Sequence, residues 1–520
     1  MNPLPTPARG GSATPGEALR IAVVGHTNAG KTSLLRTLTR RIDFGRVSAS
    51  PGTTRHVERI DLVVNGRAAV RFLDTPGLED AVSLHEHIGR TAADAAGAAD
   101  GPAAATPPDR IRRFLDGPEA HGVFEQEAKV LRTLLDVDAA FLVIDAREPV
   151  LPKFRDEIEL IRSCARPVLP VLNFVRAENH REPEWRALLA AYGMHAVVRF
   201  DAAAPFVGAE RDLYQDLVTL LRERREQLAG VIAFLEREFA ARRQAAGARI
   251  AELLVDAASM RRTAAVADFD DEARRAPLLA ALRQDVFDKA QRCASDLLAL
   301  HGFREGDASE APLPLLEGRW SMDFFSPEAL KDAGLRLGKG AAVGVAVGVA
   351  ADLAVGGLSL GAGAALGGAI GGAIAQGWGP LGRKMVNALR DVRELSVEDG
   401  ALYLIAEWQI ALVHALEHRG HGATGPVAAT VDAPVAGGVV ARDIALAVRA
   451  ARPARNHADW ESTADGPRWR ASSSAQRQAL VGLVARRVET ALRGDTGPGA
   501  PGAPGAPGRP DDPDAFATPA

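Results

Sequence analysis

Cysteine is almost missing from this chain. Of its 520 residues only Cys164 and Cys293 are cysteines, and they lie in unrelated stretches. Two thiols so placed exclude a disulfide framework and a thiolate metal site, and they fit a reducing compartment. An excess of one charge is missing too: 62 Lys and Arg stand against 66 Asp and Glu, a net charge of -4. No global basic surplus is left to pair with nucleic-acid phosphates. The first 17 residues are rich in Pro, Gly, Ser and Thr and lack the apolar core of a signal peptide, so they read as a disordered leader. Aromatics make up only 5%, while alanine, glycine and arginine abound. With 47% hydrophobic and 25% charged residues the composition is still globular. At about 150 residues per domain, the length implies two to four units.

What is present, first, is a series of short apolar runs at residues 19–25, 56–64, 68–74, 139–145, 168–173 and 196–201. They read as buried strands, and helical stretches such as 31–40 and 125–135 separate most of them. Asn65-Gly66 joins the second run to the third and is a strong hairpin signal. The expected fold is α/β, a mostly parallel sheet with one antiparallel edge strand, followed by a mainly α-helical region. Residues 92–108, nearly all Ala, Gly, Asp and Pro, read as a flexible insertion. From about 212 to 300 apolar residues recur at helical spacing among many charges, which predicts a helical hairpin or short coiled coil. Residues 386–418 read as helical again. The Gly-Ala-Pro repeats after 494 read as a disordered tail.

The chemistry begins at the end of the first run. Gly25-His26-Thr27-Asn28-Ala29-Gly30-Lys31-Thr32 matches GxxxxGK[ST], follows a strand and opens a helix, which is the context such a loop needs. Its backbone N–H groups, from Gly25 through Asn28, Ala29 and Gly30 to Ser33 in the first helical turn, would close around a phosphate at the positive end of the helix. Lys31 would bridge the β- and γ-phosphates and Thr32 would ligate Mg²⁺. Asp74-Thr75-Pro76-Gly77 ends the third run. There Asp74 can hold Mg²⁺ through water, and the Gly77 N–H can contact the γ-phosphate.

Between these motifs lies Pro51-Gly52-Thr53-Thr54-Arg55. It resembles the first switch of the Era, EngA and MnmE (TrmE) GTPases, and the likeness extends over roughly residues 20–221. By that resemblance Thr54 is the Mg²⁺ threonine of a switch ordered around the γ-phosphate. The resemblance implies a cytoplasmic Mg²⁺-dependent P-loop GTPase, with GTP and GDP as ligands and Lys31, Asn28 and Thr54 in catalysis. Leu78 stands where Ras-type enzymes carry a glutamine, as is usual in the Era-like group. In potassium-activated members an asparagine at the position of Asn28 helps hold K⁺ beside the phosphates. Here Asn28 either does so or only stabilises the loop.

One motif departs from the family. Its guanine-reading element is Asn-Lys-x-Asp, and this chain has Asn173-Phe174-Val175-Arg176. Asn173 matches. Arg176 replaces the aspartate and offers no acceptor. Glu178 could take over only if the loop were shifted. The family's Ser-Ala-x loop is matched weakly by Asp201-Ala202-Ala203. Guanine should therefore be selected less strictly.

Beyond the G domain, Gly340, Gly344 and Gly348 are spaced by four, as are Gly363, Gly367 and Gly371. On helices, such stripes let two backbones approach closely. Lys331, Arg336 and Lys339 precede the block and Arg383-Lys384 follow it, so both ends favour the cytoplasmic side. A re-entrant or peripheral hairpin at the inner membrane and a close-packed soluble hairpin both fit. The arrangement resembles bacterial proteins in which an Era-like G domain precedes a domain of unknown function with a glycine-rich segment. The expected division is a leader at 1–17, a G domain at 18–221, a helical domain at 222–420 with a glycine-zipper hairpin at 340–377, a small helical or irregular region at 421–493, and a tail at 494–520. The expected role is a GTP-hydrolysing regulatory switch engaging a membrane lipid, a membrane protein or another copy of itself, with no nucleic-acid partner. The alternative is a weakly hydrolysing nucleotide-binding scaffold with relaxed base specificity.

Overall fold

The computed structural model describes residues 17–40, 57–97, 106–303, 315–316, 319–320, 348–349, 392–420, 438–461 and 475–494. The first part runs β1 (Leu19–Val24), α1 (Lys31–Thr39), β2 (Glu58–Val64), β3 (Arg67–Asp74), α2 (Ala81–Gly97), α3 (Pro107–Leu115), α4 (Glu125–Leu135), β4 (Ala139–Asp145), α5 (Pro152–Ser163), β5 (Val168–Asn173), α6 (Glu182–Ala191), β6 (Val198–Arg199) and α7 (Ala209–Leu220). The strands form one sheet in the order β2-β3-β1-β4-β5-β6. Only β2 is antiparallel to its neighbour. Asn65 and Gly66, with φ of 51° and 77°, make the tight turn that sends β2 back as β3.

The central strands are apolar on both faces because both are covered. Along β1, Ile21 and Val23 face a core that contains Leu34 and Leu38 of α1 and Leu213 and Leu217 of α7. Ala22 and Val24 face the opposite core, with Leu84, Val130, Leu131 and Ile158. Parallel pairing brings the C-terminal strand ends together, with Val23 opposite Asp74, Val24 opposite Leu142 and Asp145 opposite Asn173. The loops after β1, β3, β4 and β5 therefore leave the sheet from one edge, where ligands bind in open α/β sheets.

The rest is mainly helical: α8 (Arg225–Ser259), β7 (Arg261–Ala265), α9 (Val266–Asp270), α10 (Glu272–Leu300), short strands β8 (Leu315–Leu316), β9 (Arg319–Trp320) and β10 (Gly348–Val349), then β11 (Val392–Ser396), α11 (Asp399–Glu417), α12 (Gly438–Ala451) and α13 (Ala475–Arg493). Its core joins Ile250 and Leu254 of α8, Val286 and Leu297 of α10, Ile405 and Val413 of α11, Val448 of α12 and Val488 of α13. A buried Lys289–Asp256 pair at 2.7 Å ties α10 to α8. The 35-residue α8 belongs to both parts: Leu228, Val231 and Leu235 pack on the sheet's core, while its second half packs among the helices.

Several expectations change. Within the expected flexible insertion at 92–108, α2 continues to Gly97 and α3 begins at Pro107, and residues 98–105 lie outside the described residues. Alanine is the best helix former, so the Ala-rich half of that stretch extends the helix. The stretch 386–418 is not helical throughout. Val392–Ser396 is a strand paired with β7, and the helix starts at Asp399. The last strand of the sheet shrinks from 196–201 to two residues, Val198–Arg199. The sheet core does not close at residue 221, since α8 adds to it. Within the glycine block only Gly348–Val349 are described. They pair antiparallel with Ser396 and Leu395 as a strand, where a helix was expected. The remaining block, Thr54, the leader and the tail lie outside the described residues.

Candidate functional site

The loop between β1 and α1 has the backbone that its glycines allow. Gly25 has φ +138°, and a Cβ there would lie 2.2 Å from the Val143 carbonyl oxygen. Gly30 has φ +92°, and a Cβ there would meet the Asn173 amide nitrogen at 2.2 Å. Side chains at either position would push β4 or β5 away. Asn28 is an exposed residue at the top of the loop with φ 67°, and Ala29 beneath it is buried. Lys31 is also buried, and its ammonium donates to the carbonyls of Gly25 and His26, both at 3.0 Å. Burial pushes its pKa down, against the pull of the carboxylates of Asp74, Glu157 and Glu79.

Thr32 Oγ1 donates to Asp74 Oδ2 at 2.6 Å. Asp74 is fully buried, and its other oxygen, Oδ1, has no hydrogen-bond partner among the described residues. Burial pushes this carboxyl up to about 6, although the Thr32 hydroxyl and Lys31 pull it down. A buried carboxylate with an open oxygen, joined to a hydroxyl, is a hard oxygen donor set of the kind Mg²⁺ takes. The residues present fit that ion, and Thr32 and Asp74 would hold it.

Thr75 anchors the second loop by donating to the Val23 carbonyl at 2.8 Å. Gly77 then passes so close to the first loop that a Cβ would lie 2.3 Å from Thr27 Oγ1. Leu78 is buried, and its carbonyl lies 3.1 Å from His26 Nδ1. His26 is a residue that sequence reasoning passed over. Its Nδ1 is 2.7 Å from the buried carboxylate of Glu157, and its Nε2 is 2.9 Å from Lys153 Nζ. An ammonium cannot accept, so Nε2 accepts and Nδ1 carries the proton. The His–Glu–Lys chain braces the loop against α5. No spacing in the sequence marks it, because His26 lies on the first loop while Lys153 and Glu157 lie on α5, more than 120 residues away.

On the other flank, Asn173 links three loops. Its Nδ2 donates to the Ala29 carbonyl at 2.9 Å, and its Oδ1 accepts from the N–H groups of Phe174 at 3.0 Å and Ala202 at 2.9 Å. Ser33 sits in the first turn of α1, half-buried. Arg176 turns its guanidinium onto the ring of Phe206, 4.3 Å from the centroid. Burial lowers its pKa, opposed by Asp201. Glu178 is exposed. The structure thus brings together Gly25, Asn28, Ala29, Gly30, Lys31, Thr32, Ser33, Asp74, Gly77 and Asn173 at one edge of the sheet.

The geometry agrees with comparisons to known proteins. A model described as "Domain of unknown function (DUF3482)" matches residues 186–485, more than half of the chain. The chain belongs to this family. Ahead of it, residues 20–174 match a model described as "50S ribosome-binding GTPase", and this part is a P-loop GTPase domain. A probable GTP-binding protein EngB from Anaeromyxobacter sp. (strain Fw109-5) is 40% identical over 83 residues, 15% of this chain and 38% of that protein. A tRNA modification GTPase MnmE from Jannaschia sp. (strain CCS1) is 44% identical over 85 residues, 16% of this chain and 20% of that one. The chain therefore spans well under half the length of either relative. A crystal structure of Era in complex with MgGDPNP and nucleotides 1506-1542 of 16S ribosomal RNA overlays with a TM-score of 0.26 at 20% identity, covering 36% of this chain and 51% of that one. An overlay so loose adds nothing to the sheet order above.

Proposed function

We propose that this chain binds GTP with Mg²⁺ and hydrolyses it as a regulatory switch. The observation that carries this is the Thr32–Asp74 pair with its open buried oxygen, set beside Lys31 at the N-terminus of α1. The match to a GTPase model and the names of the two relatives support it. Lys31 would hold the β- and γ-phosphates, and the N–H groups from Gly25 to Ser33 would cradle them. Thr32 and Asp74 would hold Mg²⁺, which neutralises charge developing on the phosphates, and Thr54 would join them from the first switch. Gly77, packed on Thr27, would report the γ-phosphate to the segment that follows. Asn28, exposed at the top of the loop, would help hold K⁺ or else only stabilise the loop. In the first case, exchange of Na⁺ for K⁺ at constant ionic strength should raise turnover, and Asn28→Ala should remove that response.

The test of the central claim is Lys31→Ala. Its loss removes the only side-chain ammonium that the loop offers the phosphates, and binding of labelled GTP should fall about a hundredfold or more. Near-normal single-turnover hydrolysis in that variant would sink the assignment.

The glycine-rich block at 340–377 is proposed as the element through which the helical part engages a membrane surface or a second copy. Support comes from the four-residue spacing of Gly363, Gly367 and Gly371 and from the flanking positive residues. Among the described residues no helix is long and apolar enough to cross a membrane. Flotation of the whole chain with anionic liposomes, with and without residues 340–377, tests the membrane form. Loss of self-association in Gly344→Leu/Gly367→Leu, with no flotation of the native chain, would point to assembly instead.

A further inference from the structure

We infer that the nucleotide's base is held here by its ring face, on a stacked pair formed by Phe174 and Arg147, and that no carboxylate reads its edge. This rests on the nucleotide reading above and names the substrate class of that same site as purine nucleoside triphosphates. The γ-phosphate end of a nucleotide belongs on the flank of the loop where Asp74 and Gly77 lie. The base must therefore leave by the opposite flank, past Gly30 and toward the loops after β5 and β6. Next to Asn173 on that side stands Phe174, whose Cζ lies 3.6 Å from where a Cβ of Gly30 would stand.

The acceptors around this exit are already engaged. Asn173 Oδ1 takes the N–H groups of Phe174 and Ala202. Asp201 Oδ1 takes those of Ala203 and Ala204 at 3.1 Å, and its Oδ2 takes that of Arg176 at 3.4 Å. Asp201 is buried and serves as the tie of its own loop. Arg176, the residue at the expected reading position, offers only donors and lies on Phe206. Edge recognition of guanine N1–H and N2–H₂ needs an acceptor, and among the described residues the Asn173 and Asp201 oxygens are turned to the N–H groups of their own loops while Glu178 is exposed to solvent.

Flat surfaces are present instead. Phe174 has φ 60°, an uncommon left-handed conformation for an aromatic residue. Its N–H bond to Asn173 Oδ1 holds that conformation, and the ring is directed back over Gly30. Backbone strain of this kind gathers at ligand clamps. Arg147 lies with its guanidinium 3.8 Å from the centroid of that ring. Its orientation is set by Asp145, which accepts from Nε at 2.9 Å and from Nη2 at 2.7 Å. The Arg147 side chain remains 44% exposed, so the stack is open to solvent. An aromatic ring and a guanidinium plane together accept any base by its π-face, and the larger purines gain most.

Competition against a fluorescent GTP analogue on the full chain with Mg²⁺ tests this. GTP and ATP should bind within about tenfold of each other, and UTP about tenfold or more weakly. Phe174→Asn keeps a residue that tolerates positive φ and removes the ring. It should lose roughly ten- to a hundredfold for GTP and ATP and leave inorganic tripolyphosphate unchanged. Phe174→Tyr should restore most of that loss, and Arg147→Ala should reproduce part of it. A GTP preference over ATP of about a thousandfold or more would overturn the platform by revealing an edge reader. So would a Phe174→Asn variant that loses tripolyphosphate equally, since the ring would then only prop the loop. If the native chain bound no nucleotide at all, the nucleotide reading would fall first and take this inference with it.

Discussion

Asp74 shows how a single buried group ties chemistry to stability. Its carboxyl is pushed up to about 6 by burial, from an ordinary value of 3.8. An acid raised in the folded state favours folding while it is protonated. That share is complete below about pH 4 and is lost as pH rises through about 6. Asp74→Asn never ionises, so in Mg²⁺-free buffer it should melt higher than the native chain at pH 7.5. The gap should be on the order of 1–3 kcal/mol and should shrink toward pH 4.5. The same variant should lose Mg²⁺-dependent nucleotide binding. A constant gap across that range would show that Asp74 is not the group being titrated. The thiols give a second residue-scale prediction. Burial pushes Cys164 and Cys293 each up to about 12. Neither should react with a thiol reagent at pH 8 until the chain unfolds, because only the thiolate is nucleophilic. Rapid labelling of the folded chain would contradict the burial of both. The Thr32–Asp74 pair was legible in advance, since each residue sits in a short motif with a fixed place on a strand or helix end. The His26–Glu157–Lys153 chain was not, since His26 lies more than 120 residues from both of its partners and the three belong to no motif.

Strands and helices were legible where periodicity was strong. The two central apolar runs, 139–145 and 168–173, are the strands Ala139–Asp145 and Val168–Asn173, and 125–135 is the helix Glu125–Leu135. The misses share a cause. Strand Val392–Ser396 has little pattern of its own and exists because β7 pairs with it. Helix α8 was legible as a helix, but not that Leu228, Val231 and Leu235 of its charged first half would bury on the sheet core. Leu228→Ala in the full chain should cost about 2–5 kcal/mol in urea unfolding. Arg225→Ala, at an exposed position one helical turn earlier, should stay within about 0.5 kcal/mol. Equal effects would mean that α8 starts as a linker and not as part of the sheet's cover.

The two parts of the molecule meet at the loop that follows β6. Gly420 donates its N–H to the Ala203 carbonyl at 2.9 Å. A Cβ on Gly420 would lie 1.8 Å from the Ala202 carbonyl oxygen and 2.9 Å from Thr37 Oγ1 of α1. Just before it, Glu417 accepts from Arg243 of α8 at 2.6 and 2.7 Å, with both side chains largely buried. The end of α11 is thereby fastened against the loop that Asn173 also holds. Gly420→Val should destabilise the chain by roughly 1–3 kcal/mol through overpacking, and should speed proteolysis at this seam. Gly482→Ala in α13 is the control, since a Cβ there meets only the far end of Arg486 at 4.0 Å. It should be neutral or stabilise by about 0.5–1 kcal/mol, as glycine-to-alanine changes inside helices do. If Gly420→Val melted like the native chain, the seam would have to yield without cost.

By itself the sequence determined the P-loop, the two motifs that supply Thr32 and Asp74, the strand that turns back at Asn65-Gly66 and the departure at Phe174 and Arg176. Each of these depends on residue type at short spacing, where backbone geometry follows directly from local chemistry. Only the tertiary structure decided that Asn173 joins three loops, that Arg147 stacks on Phe174, that α8 serves two cores and that Gly420 must be glycine. Those facts arise where distant segments approach within a few ångströms. No periodicity records such an approach, because the residues that make it are chosen by the shape of a partner far away along the chain.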